Sequence, residues 1–299
     1  MRGKRFHFWP LGKRELPFLG LLIGCLATLM LPCSATAAVQ RFGIIIGNNV
    51  GQQMGRLRFA ETDARKLYAV LSELGHFPAE QLHLLLGRQA SDVRRRLAAV
   101  ERQIAQAEQS PDTSTMLLVY YSGHADGEQL ELGSSEVSFA EIITALKQSR
   151  ADVRLAVIDS CHSGQAIAYK GGRRGPGFRI ELADQLQSSG YAIITSSAAD
   201  ELSQESADIR GSFFTHYLVS ALRGAADRSA DGKVSLREAY RFAYERTVAR
   251  TTETLGGSQH PMYALRLSGR GEVILTEPRR ATARLRVVSN GQGRLLVLD

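Results

Sequence analysis

Cysteine is scarce in this chain, with three in 299 residues, at positions 25, 33 and 161. Cys25 and Cys33 fall in a leader-like stretch, so the remainder keeps Cys161 alone and can close no internal disulfide. A lone thiol in an exported protein is a candidate reactive residue, the other reading being a small buried hydrophobe. Charge of one sign is also in short supply. The formal net charge is +7, of which the first 38 residues carry four. The remaining excess is too mild to mark a nucleic-acid partner. The apolar run Leu16–Leu31 is short for a stable membrane span and is interrupted by Pro17, Gly20 and Gly24, so no span is expected in the mature chain. There is no internal repeat. His76, His83, His216 and His260 have no cysteine or carboxylate cluster of zinc-site type around them and read as structural. An apolar content of 44% with 22% charged residues is that of an ordinary globular chain, which excludes a disordered one.

What is present begins with the leader. Basic residues, then the apolar run, then Ser34-Ala35-Thr36-Ala37-Ala38 resemble a secretory signal peptide over residues 1–38, cut after Ala37 or Ala38. Export to the periplasm or the medium follows. A lipoprotein signal through Leu22-Ile23-Gly24-Cys25 and a retained N-terminal anchor are the alternatives. Residues 39–277 read as one α/β domain. Residues 278–299 form a separate hairpin pattern around Asn290-Gly291, either docked on the domain or opening a further β domain.

Within 39–277, strands alternate with helices. Strands are predicted at 42–47, 82–86, 116–121, 155–158, 191–196, 262–267 and 273–276. Helices are predicted at 61–74, from a Ser91 or Asp92 cap to about 108, at 139–148, 213–223 and 236–251, with a small hairpin near 128–132. That order implies a mostly parallel sheet with helices on both faces. The stretch Gln165–Arg179 holds four glycines and a proline and reads as an exposed loop.

The stretch Val153–Gly164 organises the rest. Its apolar strand runs into Asp159-Ser160-Cys161-His162-Ser163-Gly164. In an open α/β sheet the carboxyl ends of strands carry the chemistry. The strand at 116–121 runs into Ser122-Gly123-His124 at the same edge. A thiol and an imidazole at neighbouring strand ends are the minimum for a cysteine nucleophile and its base. His162, beside Cys161 in an extended segment, points to the other face and reads as structural.

Tyr121-Ser122-Gly123-His124 and Asp159-Ser160-Cys161-His162-Ser163-Gly164 resemble the two catalytic motifs of caspase-like cysteine peptidases, nearest to the metacaspases and their bacterial relatives. The resemblance covers about Arg41 to Thr276 and implies a caspase-hemoglobinase fold. It makes Cys161 the nucleophile and His124 the base, with oxyanion donors at the Cys161 N–H and at Gly123 or Ala125. Metacaspases often have glycine after the histidine, and Ala125 keeps the backbone donor. It also implies a pocket of Asp63, Ser122 and Asp159 for Arg or Lys before the cut, in protein or peptide substrates. Read alone, Asp63 is an ordinary first-turn helix carboxylate. Lys170, Arg173 and Arg174 lie where related peptidases are cut during maturation, so self-cleavage is expected there, against a plain solvated loop.

The dyad needs no cofactor. Residues 227–238 fit a twelve-residue calcium loop, with Asp227, Ser229, Asp231, Lys233 (through its backbone), Ser235 and Glu238 at the ligand positions. The alternative is a glycine turn followed by a helix capped by Ser235 and Glu238. Against the peptidase stand a silent scaffold of the same fold and a transpeptidase using the same thiol. Oligomeric state is not legible from these residues.

Overall fold

The computed structural model describes residues 38–52, 55–110, 113–161, 163, 173–174, 189–268 and 272–278. The leader 1–37, Lys170, His162 and the hairpin pattern 279–299 lie outside them. The first half runs β1 (Ala38–Gly47), α1 (Ala60–Leu74), β2 (Leu82–Leu86), α2 (Ala90–Ala107) and β3 (Thr113–Ser122). A hairpin, β4 (Gln129–Leu132) and β5 (Ser135–Ser138), then leads to α3 (Phe139–Gln148) and β6 (Val153–Asp159). After β7 (Arg173–Arg174) come β8 (Ser189–Thr195), the short pair β9 (Glu205–Ser206) and β10 (Gly211–Ser212), and α4 (Phe213–Ser220). The chain continues through β11 (Val234–Ser235), α5 (Leu236–Thr251), β12 (Met262–Ser268) and β13 (Ile274–Thr276).

Seven strands form the central sheet in the order β2-β1-β3-β6-β8-β12-β7. Strands β2, β1, β3, β6 and β8 are parallel neighbours, and β12 closes antiparallel on β8. The apolar runs in the middle strands are covered on both sides, as parallel strands require. Along β1, Ile45 packs on the face covered by α1, α4 and α5, while Ile44 and Ile46 pack on the face covered by α2 and α3. The same alternation places Leu118 and Tyr120 of β3 on the first face and Val119 and Tyr121 on the second. Each such side chain removed from water stabilises the sheet by about 1.5–3 kcal/mol.

Three expectations are corrected. Helix α2 begins at Ala90, before Ser91 and Asp92, because the Asp92 carboxylate reaches back to accept from the Gln89 N–H at 3.3 Å. Helix α4 ends at Ser220 and passes into a wider π turn at Ala221–Ala225. Arg173 and Arg174, expected in a loop, have extended backbone paired antiparallel with Tyr263 and Met262 at the sheet edge. Among the described residues no helix is long and apolar enough to cross a membrane.

Candidate active site

The site is built at the carboxyl ends of β3 and β6. Parallel pairing sets Ser122 of β3 beside Asp159 of β6, and the Gly123 N–H donates to the Asp159 carbonyl at 3.3 Å. Two residues beyond each strand end come His124 and Cys161. The register that buries both apolar strands therefore brings imidazole and thiol to neighbouring positions on one edge. It also spends the Gly123 N–H on the strand pairing. Of the three expected oxyanion donors, Ala125 and Cys161 remain.

His124 is held from several directions. Its side chain is 6% exposed, and Nε2 lies 2.8 Å from the Gly55 carbonyl. A carbonyl only accepts, so in the neutral ring Nε2 carries the proton and Nδ1 is the free base. The His124 carbonyl accepts from the Glu131 N–H at 3.0 Å and lies 2.6 Å from the Tyr121 hydroxyl. The loop bearing Gly55 is tied down by the buried Glu131 carboxylate, which accepts from the Gln52 N–H at 2.7 Å. Gly51 passes so close that a Cβ there would sit 2.8 Å from His124 Cδ2 and 2.3 Å from Glu131 Oε2. Gly51→Ala should push the imidazole aside and lower kcat on the order of 10²-fold, with KM changing far less. Steady-state kinetics on a single peptide check this, and an unchanged kcat would refute it.

Cys161 is half-buried, and its thiol donates to the Ser203 carbonyl at 3.8 Å. Burial is the leading cause pushing the thiol above its ordinary value, and the Asp159 charge adds to it. Both effects favour the protonated thiol over the thiolate. The turn that carries it is braced from behind. The Ser160 carbonyl accepts from Ser197 Oγ at 3.2 Å, and buried Gln259 donates to the Ser196 carbonyl at 2.8 Å.

Two carboxylates lie beside this turn. Asp159, 3% exposed, accepts from Ser203 Oγ at 2.7 Å through Oδ1, and from Thr215 Oγ1 at 2.6 Å and Ser212 Oγ through Oδ2. Asp63, 1% exposed, sits near the start of α1 and accepts from the Ser212 N–H at 2.8 Å. Its other oxygen, Oδ1, has no hydrogen-bond partner. Burial, and next the Asp159 charge, push the Asp63 carboxyl well above the usual carboxylate range. Gly211 keeps the space before Oδ1 open, since a Cβ there would lie 2.4 Å from it. Ser122 is buried at the end of β3 in register with Asp159. The hydroxyls of Ser203, Ser212 and Thr215 were not legible in the sequence. Ser212 also caps α4 by accepting from the Thr215 N–H at 3.0 Å, and that S-x-x-T spacing is the one local signal it offered.

The residues of the calcium-loop pattern hydrogen-bond to one another. Asp227 accepts from the Gly232 N–H at 3.0 Å and the Asp231 N–H at 3.2 Å. Asp231 accepts from the Lys233 N–H at 2.8 Å, and Ser229 Oγ donates to Asp227 at 3.2 Å. Glu238 closes a capping box on Ser235, accepting from its N–H at 3.1 Å. Among the described residues no three His, Cys, Asp or Glu side chains converge to hold a metal ion. As arranged, the loop is a glycine turn followed by a helix cap. His260 and His76 pair with Glu201 at 2.7 Å and Glu277 at 3.2 Å.

Comparison with known proteins places this architecture. A caspase-domain family model matches residues 40–270. Metacaspase-4 of Arabidopsis thaliana is 26% identical over 161 residues, which cover 48% of this chain and 38% of that protein. The chain therefore spans well under half of that relative's length. Among solved structures, caspase-1 of Spodoptera frugiperda superposes with a TM-score of 0.53 at 12% identity, covering 83% of this chain and 93% of that one. That likeness shows a shared caspase fold. With the family model spanning both strand-end motifs, this chain belongs to the caspase-domain family, the caspase-like and metacaspase group of cysteine peptidases.

Proposed function

We propose that this chain hydrolyses peptide bonds after Arg or Lys, with Cys161 as nucleophile and His124 as base. The observation that carries the specificity is the buried Asp63 Oδ1, unpartnered beside Asp159, which stands two residues before Cys161. A buried carboxylate oxygen without a donor is costly, and a guanidinium or ammonium brought to it offsets that cost. A substrate Asp would be repelled by the same pair.

This reading implies the following steps. His124 Nδ1 takes the thiol proton as Cys161 Sγ bonds to the scissile carbonyl carbon. The oxyanion is met by the N–H groups of Cys161 and Ala125. Collapse breaks the C–N bond, and the imidazolium gives its proton to the leaving amine. Water, losing a proton to His124, then attacks the thioester and releases the acid and the thiol. No metal enters these steps.

Release of a fluorophore from peptides ending in Arg, Lys, Asp or Asn tests the reading, with calcium and with chelator. Turnover on Asp would overturn the pocket, and turnover confined to the calcium arm would show a metal requirement. The charge of Asp63 adds a pH signature. Ionising Asp63 should strengthen Arg binding, so kcat/KM on Arg peptides rises with pH through its elevated value. Asp63→Asn should flatten that rise. Stability runs the other way. With the folded value above the unfolded one, what Asp63 contributes is complete below the ordinary carboxylate value and is lost as pH rises through the folded value. Asp63→Asn should therefore melt about 2–4 °C above the parent at pH 8, for a gain of about 1 kcal/mol. A lower Tm for the variant at that pH would contradict the buried charge.

Of two further readings, self-cleavage rests on this one and export stands on the leader alone. Self-cleavage after Lys170, Arg173 or Arg174 should appear as two fragments on prolonged incubation, and an intact chain would exclude it. Export through the 1–38 leader should leave a mature N-terminus at residue 38 or 39, which mass measurement of the exported protein decides.

A further inference from the structure

The outer edge of the sheet carries a feature that the peptidase chemistry does not use. β2 ends the sheet and pairs only with β1, and among the described residues no strand covers its other side. Part of its main-chain hydrogen-bonding capacity therefore faces outward. Beside it runs α2, and the two enclose a groove of about 570 Å³. Leu85, Ala98 and Ala99 line its apolar part, while Arg88, Arg95, Arg96 and Arg102 supply positive charge. Helical spacing explains the shape. Residues 95, 98, 99 and 102 share one face at i, i+3, i+4 and i+7. The alanines add little bulk beside the strand, and the arginines supply the charge.

The charge there is largely uncompensated. The acid in the groove, Asp92, is already paired with Arg95. Arg94 turns away to Glu141 at 2.6 Å and takes no part. No carboxylate pairs with Arg88, Arg96 or Arg102 among the described residues.

We propose that this groove docks an extended acidic segment of a protein partner, laid along β2 with its carboxylates on the arginines. The open strand edge argues for a peptide, because it pairs with main-chain amides that a phosphate, a lipid headgroup or a nucleic acid does not supply. The guanidinium fork matches a carboxylate with two parallel hydrogen bonds. Concavity argues against a bilayer, whose flat surface cannot follow the groove inward. The chain's own C-terminal stretch is excluded by charge, since residues 279–299 hold five arginines and one acid.

The test uses the full chain carrying Cys161→Ala, so that no probe is cut, and a fluorescein-labelled peptide of alternating Glu and Val. Fluorescence anisotropy should show saturable binding that weakens with added salt. Arg96→Glu with Arg102→Glu should weaken it at least about tenfold and create binding of the matching Lys/Val peptide, a gain that misfolding cannot produce. N-methylation of alternate amides should abolish binding, because it removes the strand pairing. Absence of saturable binding, or binding untouched by the charge reversals or by N-methylation, overturns the proposal. Equal affinity for a single-stranded oligonucleotide or for phosphatidylglycerol vesicles overturns it in favour of a general anion surface.

Discussion

Cys161→Ala should lower kcat/KM on Arg- and Lys-ended peptides by about 10⁴-fold or more, the loss expected when a nucleophile is removed and only binding and oxyanion donors remain. His124→Ala should lose nearly as much. The thiol is pushed above its ordinary value by burial, so without a base little thiolate is available near neutral pH. The double variant should be no worse than the worse single one, because the two groups act as a unit. Alkylation gives a second readout independent of turnover. The parent should react slowly with iodoacetamide near pH 7 and His124→Ala more slowly still. Residual turnover in Cys161→Ala above about one hundredth of the parent would refute covalent catalysis by this thiol. Equal turnover of the single and double variants with an undiminished parent thiol would place the dyad correctly.

Asp159→Ala should be the most destabilising single change at this edge. It removes the acceptor for the hydroxyls of Ser203, Ser212 and Thr215, which converge on one buried carboxylate. Hydrogen bonds to a charged group contribute more than neutral ones, and stranded partners keep their desolvation cost, so a loss of about 3–5 kcal/mol is expected. That corresponds to a fall in Tm of roughly 10 °C for a domain of this size. Asp159→Asn separates structure from specificity. It keeps the shape and one acceptor oxygen, so more of the fold should survive while kcat/KM on Arg peptides falls by at least about 10²-fold. A melting point for Asp159→Ala within about 2 °C of the parent would show that the three hydroxyls lend the site no support.

The contrast with Asp63 is informative. Asp159 is a satisfied carboxylate whose loss costs stability, whereas Asp63 is a strained one whose neutralisation should return it. Both follow from how many donors each oxygen meets in the same buried space.

The sequence alone was sufficient for what depends on neighbours along the chain. Apolar runs at 42–47, 116–121 and 155–158 marked strands buried on both faces, and the bounds of α3 and α5 were read correctly. Order along the chain put His124 and Cys161 after successive strands, because a parallel sheet presents its chemistry at one edge. Residues 227–238 show the limit of such reading. One pattern of acids and a glycine satisfies both a calcium loop and a capped helix, and the folded hydrogen bonds include the cap. Only tertiary structure could give the rest. Gly55 lies 69 residues before the imidazole it binds, and Ser212 lies 149 residues after the Asp63 it serves. Serines, threonines and main-chain carbonyls have no periodic signature and occur throughout the chain. What makes them part of a site is convergence on one charge in a space without water, and that convergence exists only once the strands have paired and the helices have closed over them.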